Sequence, residues 1–156
     1  MTEKKKIVQY RAFNTLSGLP GEDLQVAAKA REACGTSHAP YSGFRVGAAV
    51  RMDDGEILCA SNQESEVFPS GMCAERSLLY YVQANRPGRT IRTLAIASAP
   101  APRECYPCGA CRQVMLETEK RFKRPMRILL SGEKGIYELR SVGALLPLSF
   151  DASSML

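Results

Sequence analysis

The first periodic signal along the chain is helical and built from small residues. Pro20-Gly21 breaks the chain, Asp23 is placed to cap a helix, and Leu24, Ala27, Ala28 and Ala30 or Arg31 form its stripe as far as about Cys34. The pattern then shortens. VGAAVRM and EILCASN flank Asp53-Asp54-Gly55, a strong hairpin signal. A helical period returns from about Met72 to Ala84, where Ala74, Leu78, Tyr81 and Val82 share one side. After Pro87-Gly88 the run TLAIASA reads as a buried strand. A third helix is expected after Pro107, with Cys111, Val114, Met115 and Thr118 at helical spacing. MRILLS and IYELRS predict two more strands around Gly132 and Gly135, and a short turn near Val142 to Leu146 precedes the tail. Residues 1–21 read as an N-terminal arm with a short strand over Lys6 to Tyr10, and residues 22–156 as one domain. Strands alternating with helices imply a layered α/β fold, its first two strands antiparallel and a crossover later.

Composition narrows this picture only a little. A chain of 156 residues, 45% hydrophobic and 24% charged, has the size and content of one ordinary globular domain with a real core. No apolar run approaches the ~20 residues needed to cross a bilayer, and the basic start MTEKKKIVQY has no apolar segment behind it to make a signal peptide. The expectation is a cytoplasmic protein with no membrane partner. The net charge of +5 comes largely from two runs, Lys4 to Lys6 and the group Lys120, Arg121, Lys123, Arg124 and Arg127. No aromatic-rich motif accompanies either run, so they read as solvated faces and no nucleic-acid partner is expected.

The cysteines change the picture most. Six of them without a secretory signal argue against a disulfide framework and for metal binding or catalysis. Cys108 and Cys111 form a Cys-x-x-Cys pair at a helix start, which brings both sulfurs to one side of the first turn. Cys73 stands at another helix start, and helix N-termini favour thiolates. Three thiolates leave one position open on a tetrahedral zinc, the layout of a catalytic site holding water. Two other fourth ligands are available: the sole histidine, His38, and Cys105, which would close a four-cysteine structural site or interaction module. Cys34 and Cys59 carry no chemical reading. Three thiolates make a zinc centre net negative, which weakens its power to acidify water. Arg76 is placed to donate hydrogen bonds to the sulfurs and offset that charge, and Glu75, two residues after a ligand, to move the water's proton. A redox role for Cys108 and Cys111 would leave Cys73, Glu75 and Arg76 without functions.

Taken together, APYSGFRVGAAV (39–50), NQES (62–65), FPSGMCAERSLL (68–79), PCGACRQV (107–114) and LLPLSF (145–150) make the chain resemble the cytidine deaminases over roughly residues 22–150. That resemblance implies a three-layer α/β/α fold with a mixed five-stranded sheet, and a hydrolase that converts cytidine and deoxycytidine to uridine and deoxyuridine in pyrimidine salvage. It implies one zinc per subunit on Cys73, Cys108 and Cys111, with Glu75 as the proton shuttle. Water activated by the metal attacks C4 of the pyrimidine, and the tetrahedral intermediate expels ammonia. It further implies that Asn62 and Glu64 hold the ribose hydroxyls, that the Ala74 N–H binds the base carbonyl, and that Phe44 packs on the nucleoside. Phe150 matches an aromatic that comes from a neighbouring subunit, since the cysteine-only type is a homotetramer with its sites at subunit interfaces. A related deaminase acting on another amino-heterocycle, such as blasticidin S, is the alternative enzyme. The chain departs from the family pattern at Ser65, Glu66, Phe68 and Tyr106, which bears on substrate range but not on the zinc chemistry.

Overall fold

A computed structural model describes residues 1–155. Among them are six strands, β1 (Arg11–Phe13), β2 (Arg45–Met52), β3 (Ile57–Ser61), β4 (Ile91–Ala99), β5 (Arg127–Ser131) and β6 (Ile136–Leu139). Three α-helices accompany them: α1 (Gly21–Ala33), α2 (Ala74–Asn85) and α3 (Gly109–Phe122). The strands form one mixed sheet in the order β1-β6-β5-β4-β2-β3. The expected hairpin is β2–β3, turned at Gly55 with a φ of 90°, a left-handed conformation that suits glycine. β4 and β5 are the parallel pair. Parallel neighbours need a crossover, and α3 supplies it.

Side chains alternate across the sheet and divide the core in two. Val46, Ala48, Val50 and Met52 of β2, with Leu94 and Ile96 of β4 and Ile128 and Leu130 of β5, pack beneath Leu78, Leu79 and Val82 of α2 and Met115 of α3. The opposite face presents Ala49, Ala95, Ala97 and Leu129 to Val26, Ala27 and Ala30 of α1. The layers are therefore α/β/α. Helix α1 sits so close that a Cβ on Gly47 would lie 2.1 Å from the Ala30 carbonyl oxygen, which explains why β2 carries a glycine there.

Several expectations need correction. The sheet has six strands rather than five, because the N-terminal arm adds β1 along the outer edge of β6, with Arg11 opposite Glu138 and Phe13 opposite Ile136. That strand covers Arg11–Phe13, not Lys6 to Tyr10. Its position follows its partner: Phe13 packs against the α1-side core, and Arg11 forms a 2.6 Å ion pair with buried Glu138. Asp23 does not cap α1, because the helix starts earlier and the Pro20 carbonyl accepts from the Asp23 and Leu24 N–H groups. Asp23 is instead buried, accepting from Arg127 at 2.8 Å and from the Thr93 hydroxyl at 3.4 Å, so it ties α1 to β4 and β5. Tyr81 is exposed, while Ala74, Leu78 and Val82 of the same expected stripe are buried together with Leu79. No helix among the described residues is long and apolar enough to cross a membrane.

Candidate metal centre and ligand cavity

The site begins with two helix starts brought together by packing of α2 against α3. Cys73 is the last extended residue before α2, and Cys108 the last before α3. Cys111 lies one turn into α3 and is fully buried. The sulfurs of Cys73, Cys108 and Cys111 all lie within 4.8 Å of one another, and those of Cys73 and Cys108 are 4.0 Å apart. A tetrahedral zinc with Zn–S bonds of ~2.3 Å would set its sulfurs ~3.8 Å apart, so the three side chains fit the ion with little movement. Their N-terminal placement also suits thiolates. Hydrogen bonding from the Cys111 thiol, aided by Arg76 and Cys108, pulls Cys73 down to about 5, while Cys111 is pushed up as the proton-bearing partner.

Arg76 donates from Nη2 to the Cys73 sulfur at 3.8 Å, and that bond holds its guanidinium above the ordinary value. Its Nε is buried without a partner, a donor turned into the interior beside a sulfur cluster. Glu75 is 4% exposed. Burial, with the charge on Cys73 adding to it, pushes its carboxyl up to about 7. A carboxyl that exchanges its proton near neutrality has the property a proton shuttle needs.

The alternative ligands do not join this group. Cys105 is buried in the core on the α2 and α3 side, where desolvation pushes its thiol up to about 11, and its N–H is held by the Ser131 carbonyl. His38 is exposed and engaged through its backbone with Asn62 and Glu64. Arg112 fixes the approach to Cys108: its Nε donates to the Pro107 carbonyl at 2.9 Å and its Nη1 to the Leu145 carbonyl at 3.0 Å.

Cys73 opens onto a cavity of about 400 Å³ that also holds Asn62 and Glu64. Both polar side chains are already committed to the preceding loop. Asn62 Oδ1 accepts from Ser37 Oγ at 2.5 Å and the Val46 N–H at 2.7 Å, and its Nδ2 donates to the Phe44 carbonyl at 2.9 Å. Glu64 accepts from the Tyr41 N–H at 2.9 Å, the Ser42 N–H at 3.2 Å and the Ser42 hydroxyl, which hold its carboxyl below the ordinary range. By donor and acceptor inventory Asn62 keeps one N–H and Glu64 about one lone pair to offer a ligand. Ala74 is buried at the first position of α2, where the helix supplies no acceptor for its N–H.

Phe44 and Phe150 are exposed and do not line the cavity. The sequence reading missed Tyr41 and Met72, which do. Tyr41 meets Phe68 edge-on at 6.3 Å, and the Tyr41–Ser42 segment belongs to the loop that Glu64 gathers in. Among the departures from the family pattern, Ser65 and Phe68 line the cavity, whereas Glu66 is exposed and does not.

A metal-ready sulfur cluster beneath a buried carboxyl, on a mixed sheet flanked by helices, defines a class, and comparison with known proteins places the chain within it. Residues 20–124 match the family described as the cytidine and deoxycytidylate deaminase zinc-binding region. A cytidine deaminase of Halalkalibacterium halodurans is 35% identical over 134 residues, 85% of this chain and 94% of that one. One from Sporosarcina psychrophila is 32% identical over 131 residues, 84% of this chain and 93% of that one. The crystal structure of cytidine deaminase from Burkholderia pseudomallei superposes with a TM-score of 0.72 at 32% identity, over 81% of this chain and 97% of that one. The chain belongs to the cytidine and deoxycytidylate deaminase family.

Proposed function

We propose that the protein deaminates cytidine and deoxycytidine hydrolytically to uridine and deoxyuridine, and that it works as a cytoplasmic homotetramer. The observation that carries this reading is the meeting of Cys73, Cys108 and Cys111 with the buried Glu75, beside a cavity that also contains Asn62 and Glu64. The curated relatives of similar length support it, since they are cytidine deaminases.

In this reading the three cysteines hold zinc, which when bound supplies the Lewis acidity that makes water a nucleophile at neutral pH. Arg76 draws charge from the Cys73 sulfur and so preserves that acidity. Asn62 and Glu64 offer their remaining donor and acceptor to the sugar hydroxyls, and the Ala74 N–H meets the base carbonyl. Glu75 takes the proton released by water as oxygen bonds to C4, and passes it to ring N3. A second proton moves through the same carboxylate to the exocyclic nitrogen. The C4–N bond then breaks, ammonia leaves, and a carbonyl remains at C4. Phe44, and Phe150 from a neighbouring subunit, would complete the enclosure on assembly, a role that their exposure in a single chain leaves open to them.

Zinc-loaded protein incubated with cytidine tests the reading. Loss of cytidine absorbance with equimolar ammonia is the expected result. Absence of turnover on cytidine and deoxycytidine by a zinc-loaded tetramer would overturn it, and light scattering supplies the assembly state independently.

A further inference from the structure

A second cavity, of about 420 Å³, is lined by Arg11, Arg92, Arg124, Arg127, Arg140 and Glu138. Its residues come from far-apart stretches of sequence: the start of β1, the start of β4, the α3–β5 connection, the start of β5, and the end of β6 with the residue following it. It lies at the opposite end of the sheet from the cysteines. Arg92 stands at the beginning of β4, whereas Cys108 follows the segment leaving the far end of that strand. At ~3.3 Å per residue, strand β4 separates the two ends by roughly 25 Å.

The charge here is concentrated. Five arginines face one carboxylate around a single concavity, in a chain whose whole net charge is +5. Two are neutralised: Arg11 by Glu138 at 2.6 Å and Arg127 by Asp23 at 2.8 Å. Arg92, Arg124 and Arg140 have no carboxylate within ion-pair distance among the described residues. Converging guanidiniums repel one another, and their planar forks match phosphate oxygens two bonds at a time. Glu138 does not offset them. Its Oε1 is held by Arg11 and its Oε2 is sealed from solvent, so this carboxylate is turned into the protein and leaves the exposed arginines to set the charge of the concavity.

We propose that this cavity binds a compact polyphosphate anion, the shared chemistry of inorganic polyphosphate and of a nucleotide's phosphate chain. The three unneutralised arginines hold the phosphates. Grouping of the exposed arginines around one open concavity, rather than along a stripe, suits a small anion better than a nucleic-acid strand. The site stands apart from the deaminase reading and is read by binding, not turnover.

The test is calorimetric titration of the zinc-loaded protein with sodium triphosphate, ATP and sodium sulfate at fixed ionic strength. Triphosphate and ATP are expected to bind once per chain, each at least about tenfold more tightly than sulfate, a difference of about 1.4 kcal/mol. ATP binding more tightly than triphosphate identifies a nucleotide as the source; equal affinity identifies the phosphate chain alone. Replacing Arg92 and Arg140 together by glutamine should weaken both by about tenfold or more, with zinc content and cytidine turnover unchanged. Removing charge elsewhere, by Lys4→Gln, Lys5→Gln and Lys6→Gln, should leave both affinities intact. Affinity equal to that of sulfate, or insensitivity to the Arg92/Arg140 change, overturns the proposal. So does tighter binding of an oligothymidylate that the same double change abolishes, because the ligand is then a nucleic acid.

Discussion

On the α1 face, β2 and β4 present Gly47, Ala49, Ala95 and Ala97 to a helix surface of Val26, Ala27 and Ala30, whereas on the other face the same strands present Val46, Val50, Leu94 and Ile96. The first face is thin, and helix backbone nearly touches strand backbone. The second is thick, and a layer of large side chains holds α2 and α3 away from the sheet. Both cysteine-bearing helices lie on the thick side. The contrast teaches that this fold secures position by close approach on one face and keeps a deep apolar layer on the other. That layer buries Glu75 and Cys111 away from water, where charges interact more strongly.

The thin face should fail by addition. Gly47→Val places atoms against the Ala30 carbonyl and the Cys34 N–H, and should cost about 4 kcal/mol or more, visible as loss of folded protein or a collapsed urea midpoint. A Gly47→Val chain melting like the wild type would break the contrast outright. Next in size, Glu75→Gln should lower the cytidine deamination rate by about 10²- to 10⁴-fold, while elemental analysis still finds zinc. Near-normal turnover would place the proton shuttle elsewhere. The thick face should fail by subtraction: Leu78→Ala, which empties a fully buried site, should cost about 3 kcal/mol in urea unfolding yet leave a folded enzyme.

The smallest effect belongs outside both layers. Arg86 bonds both oxygens of Glu56 beyond the hairpin turn and lowers the Glu56 carboxyl below its ordinary value. A depressed folded value means the stabilisation is present above the unfolded carboxylate range and is lost as pH falls through the folded value. Glu56→Gln should therefore lower the melting temperature slightly at neutral pH, and the difference should vanish in acid. A gap that persists in acid would show that the side chain acts through packing.

Local signals carried most of this architecture. The Asp53-Asp54-Gly55 turn and the helices that follow Cys73 and Cys108 fall where periodicity and punctuation place them, because each is decided by neighbours in sequence. The errors lie where a distant partner decides. β1 has little alternation of its own, and β6 and the ion pair with Glu138 choose its register. Asp23 reads as a cap by type and becomes a buried tie because Arg127 arrives from more than a hundred residues away. Tyr81 is exposed although Ala74, Leu78 and Val82 of its stripe are buried, because the buried face of α2 widens toward Glu75 and Leu79 instead. The sulfur cluster was legible because two short motifs each sit at a helix start. Tyr41 reached the cavity through the side chain of Glu64, a contact that no spacing rule encodes.

Cys73 and Cys108 are 35 residues apart and meet only because α2 and α3 pack. The unfolded chain lacks the Cys73 sulfur at this site and offers zinc only the local run Cys105, Cys108 and Cys111. Metal uptake and folding are therefore one linked equilibrium, and zinc at a hundred times its dissociation constant would add at most about 2.7 kcal/mol to the folded state, less whatever the unfolded cysteines bind. A chain that folds where zinc is scarce is less durable as well as less active, so the lifetime of the protein tracks the supply of its metal.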